Sequence, residues 1–206
     1  MITNPDIENY IYNLSIPEDP ILLEMEKLGH KTGFPIVDRI VGRFLYIITK
    51  IKKPKLIVEL GSGFGYSGYW FAKALDNGKV VLTDFSLENL NLAEKFFETG
   101  GLLKKAEFKA GDAIEIASTY KNIDILFIDI QKAKYKKAIE TLKDNISTGG
   151  LVIADNTLWQ GKVLEEHPDR QTKGIKEFNE YMFSNPDFFS VLIPIRDGVL
   201  LSYKLK

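Results

Sequence analysis

From position 56 onward, short apolar runs alternate with amphipathic segments along the chain. The apolar runs predict strands, and helical periodicity separates several of them, as at 87–99 and 135–143. Strands that alternate with helices at this pitch need right-handed crossovers and form a parallel sheet with helices on both faces. The pattern therefore predicts an α/β fold with strands at 56–60, 80–83, 106–110, 123–128 and 151–154.

The two ends of the chain have different patterns. Before position 54 the apolar residues recur at helical spacing, which predicts three helices and no strand, over 6–14, 20–29 and 37–51. Near the other end an Asp197-Gly198 pair, which is a hairpin signal, joins two β-rich runs at 189–194 and 199–203. We expect one domain over 1–206, in which residues 1–54 pack as a helical extension and an antiparallel hairpin closes the sheet.

Composition narrows the class of protein. The chain has 206 residues, of which 45% are hydrophobic and 27% are charged, as is typical of a globular domain. Its net charge of −1 gives no field that would attract nucleic acid, and its lack of cysteine excludes disulfides and thiolate chemistry. No apolar stretch approaches the roughly 20 residues of a membrane span, and no signal-peptide pattern is present. We expect a cytoplasmic protein with no membrane partner.

Three glycines at alternate positions, Gly61, Gly63 and Gly65, follow the first candidate strand and precede a helical pattern. Glycines at such a turn let backbone N–H groups approach a nucleotide-like cofactor, although a tight structural turn is the alternative. The dinucleotide fingerprint needs a glycine where this chain has Tyr66, which argues against a dehydrogenase. With Glu59 ahead of it, the spacing resembles the first motif of S-adenosylmethionine-dependent methyltransferases.

Polar residues follow the next two strands, at the edge of the sheet where open α/β folds bind ligands. Asp84 follows the second strand, where a carboxylate can accept hydrogen bonds from ribose hydroxyls; the alternative is a solvated loop acid. Asp112 and Ala113 follow the third strand, where a side-chain acceptor and a backbone N–H can meet an adenine edge. With the glycine loop upstream, these positions favour a bound nucleoside.

The fourth and fifth strands each end in an acidic residue. Asp129 follows the fourth, and Asp155 follows the fifth and precedes Asn156. Three oxygen ligands without Cys or His favour a hard cation, Mg²⁺ first, with Mn²⁺ or Ca²⁺ as alternatives. The structural alternative is an ordinary turn at Asp155-Asn156 and a helix cap at Asp129. Because both acids lie at adjacent strand ends beside the glycine loop, we favour the cation site.

Lys132 lies three residues beyond Asp129, so one helical turn can bring its amine to the same site. A lysine next to a divalent cation can act as a general base. Its neighbours Lys134, Lys136 and Lys137 are expected to be ordinary solvated lysines.

These motifs together resemble the cation-dependent O-methyltransferase family, which includes catechol and caffeoyl-CoA O-methyltransferases and many small bacterial relatives. The likeness covers the chain from about 36 to 203 and rests on Val-Glu-Leu-Gly-Ser-Gly-Phe-Gly-Tyr-Ser at 58–67, Phe-Ile-Asp at 127–129 with Lys132, Ala-Asp-Asn at 154–156 and Asp-Gly at 197–198. The resemblance implies a seven-stranded sheet of order 3-2-1-4-5-7-6 and a homodimer.

The resemblance also implies a role for each matching residue. Asp129, Asp155 and Asn156 would bind the cation, and Lys132 would take a hydroxyl proton. The implied S-adenosylmethionine-binding residues are Val37 through its backbone, Glu59, Gly61, Ser67, Asp84, Asp112, Ala113 and Asp129. The substrate would be a small-molecule hydroxyl acceptor of the catechol type.

Two departures from the family pattern bear on the acceptor. Gln131 stands where plant-type members have a second acid, and Val191 stands where the catechol enzyme has a glutamate that holds the second hydroxyl. The alternative acceptor is the wobble hydroxyuridine of tRNA, which some bacterial relatives methylate and whose enzymes resemble this chain at 185–188. The segment 165–170 has no arginine cluster for phosphates, so we rank tRNA second. A non-catalytic cofactor-binding protein is the third alternative.

Overall fold

A seven-stranded sheet forms the centre of the protein, whose computed structural model describes residues 4–206. Its strands are β1 (Leu56–Leu60), β2 (Lys79–Asp84), β3 (Ala106–Ala110), β4 (Ile123–Ile128), β5 (Ile146–Ala154), β6 (Phe188–Ile193) and β7 (Val199–Lys204). The spatial order is β3-β2-β1-β4-β5-β7-β6, which confirms the expected order. The first five strands are parallel, and β7 runs antiparallel between β5 and β6.

Eight α-helices surround the sheet within the described residues. They are α1 (Pro5–Leu14), α2 (Pro20–Thr32), α3 (Arg39–Lys52), α4 (Tyr66–Ala74), α5 (Leu87–Thr99), α6 (Ala113–Ser118), α7 (Tyr135–Leu142) and α8 (Arg170–Ser184). The first three confirm the helices expected before the first strand. Over residues 4–206, no helix is both long and apolar enough to span a membrane.

Both faces of the sheet are buried, which explains why its central strands are almost entirely apolar. Along β1, Ile57 faces the side of the sheet covered by α2–α5, whereas Val58 faces the side covered by α6–α8. Both are 0% exposed, as are Phe127 and Leu126 in β4 on the corresponding faces. Each such side chain contributes about 1.5–3 kcal/mol through burial. The two hydrophobic cores therefore fix β1 and β4, whose ends carry the site.

The predicted helix over 37–51 is wrong at its beginning. The helix begins at Arg39, because Asp38 caps it by accepting hydrogen bonds from the backbone N–H groups of Ile40 and Val41. Val37 is consequently not helical and lies in the connection between α2 and α3, with only 3% of its surface exposed. This connection forms one wall of the site.

The predicted strand over 151–154 is too short. β5 begins at Ile146, and its first half contains Ser147, Thr148 and two glycines, a polar composition that hides the strand in the sequence. A Cβ at Gly150 would lie 3.1 Å from the carbonyl oxygen of Ile123, so the glycine permits close backbone approach to β4. Ile146 pairs with Ile123, and after a register shift the regular pairing with β4 begins at Leu151.

Candidate active site

A cavity of about 820 Å³ opens at the carboxyl ends of the parallel strands. Most of the predicted site residues line it, namely Val37, Gly61, Ser67, Asp84, Asp129, Lys132, Asp155 and Asn156. An adjoining cavity of about 260 Å³ is lined by the predicted residues Gly61, Asp84, Asp112, Ala113 and Asp129. Among the described residues, Glu59 is a predicted site residue that lines neither cavity. The strand ends thus bring the predicted residues to one cleft.

The glycine loop needs its glycines for conformation and for space. Gly61, Gly63 and Gly65 have φ values of 82°, 51° and 86°, which other residues rarely adopt. A Cβ at Gly61 would lie 2.3 Å from the carbonyl oxygen of Asp129, so a side chain there would collide with the end of β4. The loop therefore passes directly beside the acidic strand end, as a cofactor loop requires.

Asp84 secures the glycine loop from the end of β2. One carboxylate oxygen accepts a hydrogen bond of 3.0 Å from the N–H of Gly63, and the other accepts bonds from the N–H of Ser86 at 2.8 Å and the side-chain amide of Asn89 at 3.3 Å. Asp84 is therefore bonded to its own loop and not simply solvated, and its ribose role stays a prediction. Asp84 lies between the two cavities and lines both.

Glu59 lies behind the wall of the larger cavity and supports it through Ser67. The Ser67 hydroxyl donates a hydrogen bond to Glu59 Oε1, whereas Oε2 is buried and has no hydrogen-bond partner among residues 4–206. Burial raises the pKa of Glu59 to about 8, and the Asp129 and Asp84 carboxylates add to the rise against the opposing Ser67 bond. The site therefore favours the protonated, neutral form of this carboxyl.

The Lys132 amine is held by two side chains. Its Nζ atom donates hydrogen bonds to Asp129 Oδ1 at 2.7 Å and to Tyr135 Oη at 2.8 Å. The Tyr135 hydroxyl in turn donates to the backbone carbonyl of Asp155 at 3.1 Å.

Neither the 3-10 turn after Asp129 nor α7 has a side-chain cap, so the helix-cap alternative for Asp129 is wrong. Sequence reasoning missed Tyr135, although its i,i+3 spacing from Lys132 is a usable signal.

The backbone of Lys132 is fixed from α8. The 3-10 turn Lys132–Lys134 packs so closely on this helix that a Cβ at Gly174 would lie 2.5 Å from Ala133 Cα. The side-chain oxygen of Gln171 accepts a hydrogen bond of 3.0 Å from the N–H of Ala133. Gly174 and Gln171 thus place the turn that carries Lys132.

Asp155 and Asn156 complete the expected cation-binding set. Asp155 is 1% exposed, and within residues 4–206 no hydrogen-bond partner reaches its Oδ1 atom. Burial raises the pKa of Asp155, and the Asp129 carboxylate raises it further. Across the described part of the chain, no group of three or more His, Cys, Asp or Glu could hold a metal. The expected set instead combines two carboxylates with the Asn156 amide, and a hard cation would satisfy the orphaned oxygen.

The opposite wall joins the loop after β5 to the hairpin between β6 and β7. The N–H of Leu158 donates a hydrogen bond of 2.9 Å to the backbone carbonyl of Asp197. The Asp197 carboxylate accepts a hydrogen bond from the N–H of Gln160. Trp159 and Gln160 have φ values of 46° and 57°, strained conformations that these contacts maintain. Sequence reasoning treated Asp197 only as part of a hairpin signal. Val191 is half-exposed on β6 and does not line the cavity.

Arg196 links this wall to the connection between α2 and α3. Its guanidinium donates a hydrogen bond of 3.1 Å to the backbone carbonyl of Ile36 and lies 3.5 Å from the Asp38 carboxylate. Lys134 lines the smaller cavity, and its amine lies 3.5 Å from Asp112. Its side chain is 40% exposed, which agrees with the expected solvated lysine.

This sheet order, with a glycine loop and an acid at the end of β2 beside a cleft, defines the class of S-adenosylmethionine-dependent methyltransferases. The model of the O-methyltransferase family matches residues 13–205. The chain belongs to this O-methyltransferase family and is an S-adenosylmethionine-dependent O-methyltransferase, which confirms the resemblance.

Comparisons with known proteins agree in fold and family. The chain is 29% identical to the catechol O-methyltransferase of Niastella koreensis, over 87% of the chain and 85% of that protein. It is 28% identical to caffeoyl-CoA O-methyltransferase 2 of Petunia hybrida, over 100% of the chain and 93% of that protein. The O-methyltransferase from Bacillus cereus in complex with SAH superimposes with a TM-score of 0.88 at 25% identity, covering 99% of this chain and 100% of that one. The expected homodimer stays a prediction.

Proposed function

We propose that the protein transfers the methyl group of S-adenosylmethionine to one hydroxyl of a small vicinal diol of the catechol type, and that the reaction depends on a divalent cation. One observation supports this most strongly: Asp129, Lys132, Asp155 and Asn156 line the same cavity, and a buried Asp155 oxygen there has no partner within residues 4–206. The matching relatives include a catechol O-methyltransferase and a caffeoyl-CoA O-methyltransferase.

Asp129, Asp155 and Asn156 would hold the cation. Two carboxylates and an amide are hard oxygen donors, which suit Mg²⁺ and also Mn²⁺ or Ca²⁺. When bound, such a cation supplies positive charge that orients the two acceptor oxygens and makes one hydroxyl easier to ionise. Asp129 is already engaged by Lys132, so in this proposal it serves both the cation and the base.

Lys132 would take the hydroxyl proton. Its side chain is 8% exposed, lines the cavity and is held by Asp129 and Tyr135. A base fixed within reach of the acceptor avoids the entropy of bringing it there. Oxygen then attacks the methyl carbon while the carbon–sulfur bond breaks, and Lys132 carries the released proton.

The cofactor would span both cavities beside the glycine loop. Asp84 lies where a ribose would meet the end of β2, and Asp112 and Ala113 line the adjoining space for the adenine. Val37, Gly61, Ser67 and Asp129 would contact the remainder, with Glu59 supporting Ser67 from behind.

The charges around the cavity favour a small acceptor over one with an anionic tail. The basic side chains that line the larger cavity are Lys132 and Arg196, and both already contact protein oxygen atoms. Asp197 adds a negative charge to the lining of this cavity. A coenzyme A thioester or a tRNA would need free cationic groups for its phosphates.

The test is transfer of labelled methyl from S-adenosylmethionine, with Mg²⁺, to a simple catechol, to a caffeoyl-CoA-type thioester and to unmodified bulk tRNA. Each assay is run with wild type, Lys132→Ala and the control Lys137→Ala, which alters an exposed lysine on the adjoining helix α7. We expect transfer to the catechol, a loss of roughly a hundredfold or more in Lys132→Ala, and full activity in the control. Transfer only to tRNA, or only to the thioester, would contradict the proposed acceptor.

A further inference from the structure

Tyr135 is a buried tyrosine whose hydroxyl touches the proposed base. Its side chain is 0% exposed, and its ring packs edge-on against Phe178 of α8 with centroids 5.3 Å apart. The hydroxyl accepts a hydrogen bond from Lys132 Nζ at 2.8 Å and donates one to the carbonyl of Asp155 at 3.1 Å. Because close packing holds the ring, the hydroxyl has a fixed place beside the amine.

We infer that Tyr135 is a positioning residue which, together with Asp129, aims the Lys132 amine at the acceptor hydroxyl. This inference rests on the proposed role of Lys132 as the base. It assigns to Tyr135 no contact with the acceptor or the cofactor, and Tyr135 does not line either cavity described above.

The geometry of an amine gives the reason. The Nζ atom has four tetrahedral directions, one of which is its bond to carbon. The contacts with Asp129 and Tyr135 fix two of the other three. The last direction is then fixed as well, on a side chain that lines the cavity. Without the Tyr135 hydroxyl one of these contacts is lost, and the amine can rotate away from its productive direction.

The packing around this pair supports a positioning role. Tyr135 begins α7 directly after the turn that carries Lys132, and Gly174 of α8 holds that turn from behind. The Trp159 ring centre lies 5.6 Å from Lys132 Nζ and limits the space on another side. Both the backbone and the end of the Lys132 side chain are therefore held, which a freely solvated lysine would not need.

The test is the hydroxyl-deleting variant Tyr135→Phe, which keeps the ring that packs on Phe178. Turnover is measured with a simple catechol at saturating Mg²⁺ and is divided by the number of S-adenosylmethionine-binding sites counted by calorimetry, so unfolded protein does not contribute. We expect kcat to fall about tenfold or more, with the KM for S-adenosylmethionine and the Mg²⁺ half-saturation unchanged. If Tyr135→Phe does not fold, Tyr135→Met is the second hydroxyl-free variant, with the same expectation.

A double-mutant cycle shows whether Tyr135 acts through Lys132. In a Lys132→Ala background, Tyr135→Phe should cause no further loss, because the amine it positions is gone. The matched control is Tyr120→Phe, which removes a tyrosine hydroxyl that donates 2.8 Å to Glu107 outside both cavities; it should keep full kcat.

Three results would overturn the inference: unchanged kcat in Tyr135→Phe, an equal further loss in the Lys132→Ala background, or a raised Mg²⁺ half-saturation, which would mean action through Asp155. If kcat is unchanged in Tyr135→Phe while Lys132→Ala is inactive, the inference about Tyr135 is wrong and the proposed function is not affected. Full activity in Lys132→Ala would contradict the base assignment of the proposed function itself.

Discussion

The Tyr66 hydroxyl donates a hydrogen bond of 2.7 Å to Glu26 Oε1, and this contact joins the glycine-loop end of α4 to the N-terminal helices. Glu26 is 4% exposed and also pairs with Arg39 of α3. The Arg39 guanidinium lies 4.0 Å from the centre of the Tyr12 ring in α1. One buried carboxylate thus connects four helices beside the cavity, which Tyr66 itself lines.

Tyr66→Phe should therefore lower the free energy of unfolding. A hydrogen bond to a charged group contributes about 1.5–3 kcal/mol, and its loss leaves Glu26 buried with one partner fewer. Urea unfolding measures the change. The control is Tyr10→Phe, because Tyr10 is 66% exposed on α1 and should tolerate the substitution. Equal stability of the two variants would mean that the buried contact has no energetic weight.

The cation assignment predicts a specific phenotype for Asp155→Ala. The variant should lose methyl transfer and yet bind S-adenosylmethionine, because Asp155 is assigned to the cation and not to the cofactor. Chelator-treated wild-type protein should behave in the same way and recover on addition of Mg²⁺. Asp144→Ala, which alters an exposed acid, serves as the control. Full turnover by chelator-treated protein would show that the cation assignment is wrong.

Asp84→Ala should weaken S-adenosylmethionine binding and leave Mg²⁺ affinity unchanged. The variant removes the proposed ribose acceptor and also the contacts with the N–H groups of Gly63 and Ser86, so the glycine loop loses a support. Loss of one charged acceptor corresponds to about 1.5–3 kcal/mol of binding free energy. Calorimetry measures both affinities. Unaltered cofactor affinity would contradict the ribose role.

The fold could be predicted wherever a structural feature leaves a recognisable pattern in the sequence. Apolar runs located β1 and β4 because both faces of these strands are buried, so nearly every position must be apolar. The first half of β5 was missed because its polar and glycine residues carry no such signal. The predicted beginning of α3 was wrong because the Asp38 cap, and not the apolar periodicity, determines where the helix begins.

The predicted residues that directly follow a strand lie together in the cleft. Parallel strands end at one edge of a sheet, so Asp84, Asp129 and Asp155 had to be neighbours once the topology was expected. Tyr135 was missed although it lies only three residues from Lys132. Asp197 was missed because its contact joins segments distant in sequence. The bond from the N–H of Gln160 to Asp197 joins residues 37 positions apart, and no local pattern encodes such a contact.

The raised pKa of Glu59 predicts how stability changes with pH in the protein without cofactor. Its value of about 8 in the folded protein lies above the ordinary 4.5, so the folded protein binds more protons than the unfolded chain between these values. Stability due to this group is therefore fully present below about pH 4.5 and is lost as pH rises towards 8. In urea unfolding, wild type should lose stability relative to Glu59→Gln over this range. Parallel stability profiles of the two proteins would contradict the raised pKa of Glu59. Asp155 is present in both proteins, so its own titration cancels in the difference between them.

Gly174→Ala should lower both stability and activity, although alanine normally favours a helix by about 1 kcal/mol over glycine. The added Cβ would lie 2.5 Å from Ala133 Cα and 2.9 Å from the carbonyl oxygen of Lys132, and both of these are backbone atoms that cannot rotate away. Overpacking of this kind costs about 1–3 kcal/mol. The displaced turn carries Lys132, so the rate of methyl transfer to a catechol should fall as well. Lys173→Ala is the matched control, because its side chain is 69% exposed one residue earlier on the same helix. A Gly174→Ala protein that is more stable than wild type and fully active would show that the turn yields without moving the base, and that α8 does not position Lys132.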